Sequence, residues 1–233
     1  TGSFVLLNTG AEATEPREGL LTTVAWGIGE SEVDYALEAA VFVTGAAVQW
    51  LRDGLRIITR AAETEDLAAS LDSNDDVYFV PALTGLGSPH WDPYARGTIV
   101  GLTRGTTRAH FARAALESIA YQTVDAVRAQ EAASGKRVPS LKADGGAVAN
   151  AWLMQFQADV LGVPVIVPEV AETTALGASF LAGIGTGLWT SDQVREMWRE
   201  AARYEPRMAE AEREELLARW HQALSRSRGW SQA

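Results

Sequence analysis

Apolar and polar residues along this chain follow two periods in turn. Between residues 3 and 38 the alternation has period two and predicts three short strands, Ser3 to Asn8, Leu20 to Trp26 and Val33 to Leu37. Gly27-Ile28-Gly29 marks a hairpin between the second and third, so an antiparallel meander opens the chain. Helical spacing follows from about Val43 to Arg52, with Val48 and Leu51 inward. Val77 to Gly105 is rich in Gly and Pro and reads as a long ordered insertion with short extended pieces, in which Asp92 and Arg96 pair with each other. The longest helix spans Arg108 to Ser134. Thr107 caps it, Gly135 stops it, and Leu116, Ile119, Ala120, Thr123 and Val127 point inward. Beyond it the pattern becomes strand (Ser140 to Ala143), helix (to Leu161, stopped by Gly162 and Pro164), strand (Val163 to Val167) and a small-residue helix (Thr174 to Gly183) that closes the core. From Ser191 onward the tail reads as helical, with Leu216, Leu217, Trp220 and Leu224 on one stripe and Glu215 and Arg219 as an exposed pair.

One junction in this pattern carries candidate chemistry. Asp144-Gly145-Gly146-Ala147-Val148-Ala149-Asn150 stands where an apolar strand passes into a helix. Gly145 and Gly146, lacking a Cβ, let a ligand approach the backbone, and the free N–H groups of a helix start favour an anion or a polar ring. A lone Gly-Gly serves equally well as a tight connection. A second feature favours the ligand. Gly146 and Asn150 are four apart, sharing one face of the first helical turn, and Gly45 and Gln49 repeat the spacing on an earlier helix. A carboxamide both donates and accepts, which suits an adenine edge or a ribose hydroxyl, and the glycine makes room for the ring. These four positions predict a nucleotide site.

Composition narrows the alternatives. The 233 residues are enough to bury roughly 70 to 75 per cent of the unfolded surface, so one self-sufficient domain over residues 1–233 is expected. A net charge of −10 argues against nucleic acid or an anionic membrane as partner. With no cysteine there are no disulfides, thiol nucleophiles or thiolate metal sites, which fits a cytoplasmic setting. Glu38 interrupts the best apolar run, Tyr35 to Val48, before it reaches membrane-spanning length. His90, His110 and His221 have no His or acidic neighbour at metal-ligand spacing and read as structural or exposed; no metal site is expected. The opening at Thr1 rather than methionine leads us to expect a piece of a longer protein.

Three antiparallel strands followed by helix, strand, helix, strand, helix is the element order of the ribonuclease H-like α/β fold used by actin and hexokinase. The expected architecture is a mixed sheet of three antiparallel strands plus parallel strands, flanked by helices. Specific runs carry a closer likeness. Thr1-Gly2-Ser3-Phe4, Asn8-Thr9-Gly10, Gly19 to Thr23, Tyr35 to Glu38, Gly45 to Asp53, Pro81 to Gly87, Trp91 to Gly97, Leu116 to Thr123 and Asp144 to Asn150 occur in the order found in the C-terminal half of the FGGY carbohydrate kinases, glycerol kinases in particular. Gly97, Gly101, His110 and Glu117 also resemble that family's second signature. The likeness runs from Thr1 to about Trp189.

The resemblance implies ATP-dependent phosphorylation of glycerol to sn-glycerol 3-phosphate in a cleft between two actin-like domains, with this chain the nucleotide-binding half. It implies ATP or ADP with Mg²⁺ held through the phosphates, and a homo-oligomer for the whole enzyme. It places Thr1 near the phosphates, Gly45 and Gln49 on the nucleotide-facing helix, and Gly146 and Asn150 against the adenosine. The catalytic aspartate and the glycerol contacts fall upstream of Thr1, so no catalytic residue is expected here and the chain alone should be inactive. Asp192-Gln193 imitates an active-site pair of the family but reads as an ordinary helix start. The alternatives are another FGGY kinase of xylulose or gluconate type, and a non-catalytic actin-like ATP-binding module.

Overall fold

A computed structural model describes residues 1–29 and 32–232. Strands β1 (Ser3–Gly10), β2 (Leu21–Ile28) and β3 (Glu32–Val41) form an antiparallel sheet, but in the order β1-β3-β2. The expected meander is therefore corrected. β3 is the longest and most deeply buried of the three, and it takes the centre by pairing on both edges: Leu37 lies opposite Leu7 on one side and Thr22 on the other. The ladder also continues through Gly27 and Ile28, opposite Val33 and Glu32, so those residues are strand and the turn begins at Gly29. Residues 30 and 31 of the predicted hairpin lie outside the described ones.

Helices α1 (Gly45–Asp53) and α2 (Glu63–Ala69), strands β4 (Tyr78–Val80) and β5 (Thr98–Val100), and helix α3 (Arg108–Ser134) follow. α3 has the predicted boundaries. The Thr107 hydroxyl accepts from the Ala109 amide, His110 Nδ1 accepts from the Thr107 amide, and Gly135 closes the end at φ 69°. The expected inward stripe is buried, but so is every residue from Ala114 to Val127. The sheet packs on one side of this helix and α1, α2, β4 and helix α4 (Ala151–Leu161) on the others. A helix surrounded in this way must pair each polar side chain it carries. Gln130 donates to the carbonyls of Val5 (2.7 Å) and Leu37 (3.0 Å), tying α3 to both β1 and β3.

The remaining elements are strands β6 (Leu141–Lys142) and β7 (Val165–Pro168), helices α5 (Thr173–Gly185) and α6 (Ser191–Met197), strand β8 (Glu200–Tyr204) and helix α7 (Glu210–Ser227). β6 and β7 are parallel, as expected, and β8 joins β7 antiparallel, so among the described residues the strands form three separate sheets. β8 corrects the all-helical tail. β7 is fully buried and β8 pairs the edge that β6 leaves uncovered; in β8 the side chains of Ala202 and Tyr204 pack on the core while Glu200 and Arg203 pair at the surface. In the main core, Tyr121 of α3 stacks on Trp220 of α7 at 5.3 Å and meets Phe156 of α4 edge-on.

Four further expectations have definite outcomes. α5 does not close the core: only Gly183 is buried, against Trp189, and Leu181 lies exposed on an otherwise apolar helix. Arg219 pairs with Asp76 at 2.8 Å, not with Glu215. Asp92 accepts from the amides of Tyr94, Ala95 and Gly229, while Arg96 donates to the carbonyls of Pro93 and Ala95, because backbone groups in the tight insertion claim both side chains first. Asp192-Gln193 does begin a helix, with Thr190 and Gln193 forming its capping box.

Gln130→Leu removes two hydrogen bonds and strands two buried carbonyls, so it should lower stability by about 2–4 kcal/mol, read as a fall in urea midpoint at unchanged slope.

Candidate functional site

The first half of the candidate site is built at the junction of β3 and α1. Thr44 precedes α1 without a side-chain cap, and the carbonyl of Thr1 takes that role, accepting from the Thr44 amide, the Thr44 hydroxyl and the Ala46 amide, each at 3.1 Å. Thr1 is thereby held against Gly45: a Cβ placed on Gly45 would sit 3.7 Å from the Thr1 hydroxyl, an ordinary contact. Gln49 is exposed one turn along the same helix. From α3, Gln122 donates to the Val43 carbonyl at 3.2 Å and so fixes where α1 starts.

The second half follows β6. Gly145 adopts φ 80° and ψ −178°, a region that side chains exclude, and its amide donates to the Ala171 carbonyl at 2.9 Å. Gly146 to Ala149 then make a 3₁₀ turn rather than the start of an α-helix, and Asn150 is extended at φ −89° and ψ 100°. Gly146 and Asn150 therefore do not share one face of an α-helical turn, which corrects the spacing argument. Asn is a strong cap former, and its Oδ1 accepts from the Leu153 amide at 2.9 Å to begin α4. Its Nδ2 donates to the Thr64 hydroxyl at 3.4 Å. One amide proton and one acceptor lone pair remain for other partners. Gly146 itself is exposed, and a Cβ there would meet nothing within 4 Å. Partial burial and then the nearby Glu172 push the Asp144 carboxyl above its ordinary range.

The sequence pattern did not reveal α2. Its first residue, Glu63, accepts from the amides of Thr59 and Arg60 in the preceding turn, Thr64 reaches Asn150, and Glu65 accepts from the Ala151 amide at 3.1 Å. The crowd of acidic residues at Glu63, Glu65 and Asp66 was the available signal, since carboxylates favour a helix N-terminus. α1 packs on α3, while α2 packs on both α3 and α4, and Gln157 of α4 donates to the Ala120 carbonyl close to where Gln122 holds Val43. Both halves thus attach to one turn of α3.

A cavity of about 270 Å³ lies elsewhere, between α3, α4 and α7, and includes none of the predicted site residues. Glu117 at its floor is committed to Arg113 (2.8 Å), Asn74 (2.8 Å) and Tyr121 (3.2 Å), and burial pushes its carboxyl up. That arrangement closes a structural network. The histidines have acidic partners brought from distant segments: His110 faces Asp75 at 3.1 Å, and His221 and His90 face Asp125 at 2.7 and 3.9 Å. No group of three or more potential ligands in metal-binding arrangement occurs among the described residues, and no helix there is long and apolar enough to cross a membrane.

Residues 1–186 match the model for the C-terminal domain of the FGGY family of carbohydrate kinases. The chain is 58% identical over 231 residues to glycerol kinase 2 of Thermotoga maritima and 57% identical over 232 residues to the glycerol kinase of Symbiobacterium thermophilum, covering 99% of this chain and 46% of each relative. It spans just under half the length of these curated relatives. Among solved structures it resembles the Plasmodium falciparum glycerol kinase crystallised with ADP, at TM-score 0.88 and 32% identity over 97% of this chain and 45% of that one. The Lactobacillus acidophilus xylulose kinase, at TM-score 0.82 and 24% identity over 98% and 47% of the two chains, shares the fold. That fold is the ribonuclease H-like α/β architecture of actin and hexokinase. The chain belongs to the FGGY family of carbohydrate kinases and carries its C-terminal domain.

Proposed function

We propose that this chain is the nucleotide-holding half of an ATP-dependent glycerol kinase, acting in the cytoplasm to make sn-glycerol 3-phosphate. The observation that carries this reading is identity of 57–58% to glycerol kinases across 99% of the chain. A kinase of xylulose or gluconate type has weaker support, since the likeness to those structures is 24% and 22%. The ADP of the Plasmodium enzyme supports a nucleotide as the ligand.

In this reading Thr1, Gly45, Gln49, Gly145, Gly146 and Asn150 surround one purine nucleotide. The Gly-Gly turn supports it: at Gly146 the fold leaves room for a side chain, and glycine there keeps the backbone open to a ring. The free valences of Asn150 and the exposed carboxamide of Gln49 suit the base or the ribose. Mg²⁺ would be held through the phosphates. Phosphoryl transfer depends on positioning both reactants and neutralising the developing charge, so the general base and glycerol contacts belong to the part of the enzyme this chain does not span. The uncovered apolar surface of α5 supports such a second half.

Gly146→Ala should leave folding intact, because its Cβ meets no protein atom, yet raise the KM for ATP of the full-length enzyme about tenfold with the KM for glycerol unchanged. Steady-state kinetics showing an unchanged ATP KM would take the turn out of the nucleotide site. Asn150→Asp should do the same while retaining the α4 cap, whereas Asn150→Ala should also lose about 1 kcal/mol of stability in urea titrations. The 233-residue chain by itself should bind ATP only at about millimolar affinity and phosphorylate no glycerol, which calorimetry and a coupled assay check.

A further inference from the structure

Asp125 is a buried carboxylate on the most enclosed stretch of α3, and among the described residues no Lys or Arg pairs with it. Its partners come from two elements remote in sequence. From α7, Trp220 Nε1 donates to Oδ2 at 2.8 Å and His221 Nε2 donates to Oδ1 at 2.7 Å. From the segment 85–92, the buried His90 Nε2 stands 3.9 Å from Oδ2 with no hydrogen-bond partner of its own. That segment is fastened to the sheet: the Ser88 amide donates to the Ala40 carbonyl at 2.8 Å, the Ser88 hydroxyl accepts from the Ala40 amide at 3.1 Å, and Trp91 packs edge-on against Phe42. The carboxylate thus lies between α7 and the segment leading to the β3–α1 junction, and imidazoles supply its sole ion-pairing groups among the described residues.

We propose that the His221–Asp125 pair is a proton-operated clasp that fastens α7 to α3, tight at mildly acidic pH and slack at alkaline pH. A desolvated carboxylate gains most from a full positive charge, so the clasp is strongest when imidazolium faces it. The groups around it agree with this assignment. His221 faces Asp125 and Arg128 from α3 and Glu214 on its own helix, and Arg128 and Glu214 pair with each other. The hydrogen bond to Asp125 raises the His221 pKa above 6.5 against the opposing effect of burial. The stabilisation is therefore fully present below about pH 6.5 and is lost as pH rises through the higher folded value. Burial works against the Asp125 carboxylate, but His221, then His90 and Trp220, outweigh it and hold its pKa below the ordinary value of 3.8. Its contribution is present above that value and disappears as pH falls through the folded one. The clasp is engaged between these two limits.

His221→Gln keeps an N–H donor but cannot titrate. Urea unfolding of the 233-residue chain should give a folding constant for the native protein, relative to this variant, that falls about fivefold between pH 6 and pH 9. Hydrogen exchange on the native chain, corrected for intrinsic pH dependence, should show the amides of α7 losing protection over the same range. Parallel stability profiles for the two proteins overturn the proposal, as does α7 protection that stays constant across this range. Should the variant fail to fold, the His221 ring proton resonance decides by itself: a titration midpoint in the native chain above that in urea supports the clasp, and an equal or lower one refutes it.

Discussion

A long helix enclosed on all sides is the constraint on which this structure turns. α3 has no solvent-facing surface between Ala114 and Val127, so the polar side chains it carries there cannot be satisfied by bulk water. Ser118 and Thr123 donate to carbonyls of their own helix and Tyr121 donates to Glu117, while the remaining polar groups take partners on different elements. Glu117 binds Asn74 ahead of β4, Gln122 binds Val43 ahead of α1, Asp125 binds α7, and Gln130, a turn further on, binds β1 and β3. Apolar packing brings these elements to the helix without direction. The four polar contacts specify where along it each one sits, since a misplaced element would leave a buried carboxylate or amide unpaired.

The same constraint places the candidate site. Gln122 of α3 holds the Val43 carbonyl ahead of α1, and the Ala120 carbonyl two residues earlier on α3 accepts from Gln157 in the middle of α4, so α1 and α4 are positioned from a common support. Neither start uses its backbone in the simplest way. Thr1 caps α1 through its carbonyl, and Asn150 caps α4 through its side chain after a 3₁₀ turn. The donors that an isolated helix would offer to an anion are therefore partly occupied, which shifts recognition toward glycine-lined space and leftover carboxamide valences.

What could be read from residues alone follows the range over which each signal acts. Helix α3, the glycine stops and the parallel β6–β7 pair depend on neighbours a few residues away, and periodicity and capping chemistry revealed them. Strand order was hidden because alternation says which face a residue takes, not which strand lies beside it; only pairing on both edges brings β3 to the centre. β8 was hidden because its strand character comes from the β7 edge that β6 leaves uncovered, and α2 because a short run of Glu, Thr and Asp has little apolar periodicity. At Asn150 two roles competed for one side chain. Four-residue spacing described it as a helix-face group, while the local preference of Asn for a cap determined its conformation.

α5 and α3 make an instructive pair. Both are rich in alanine and other small apolar residues, yet α3 is wrapped by its neighbours while α5 has a single buried residue, Gly183. They differ in polar residues, since α5 carries no charged or carboxamide side chain. α3 carries buried polar side chains whose partners belong to this chain, and each pairing records a neighbour that is present. α5 has no such groups turned toward the core; the Ser179 and Thr186 hydroxyls donate to carbonyls of their own helix. A helix of that kind can be covered by any complementary apolar surface without leaving a polar group stranded, which is what an interface closing and opening around a nucleotide requires. Directional polar pairing thus marks the core, and α5 is a surface for which this chain supplies no polar partner.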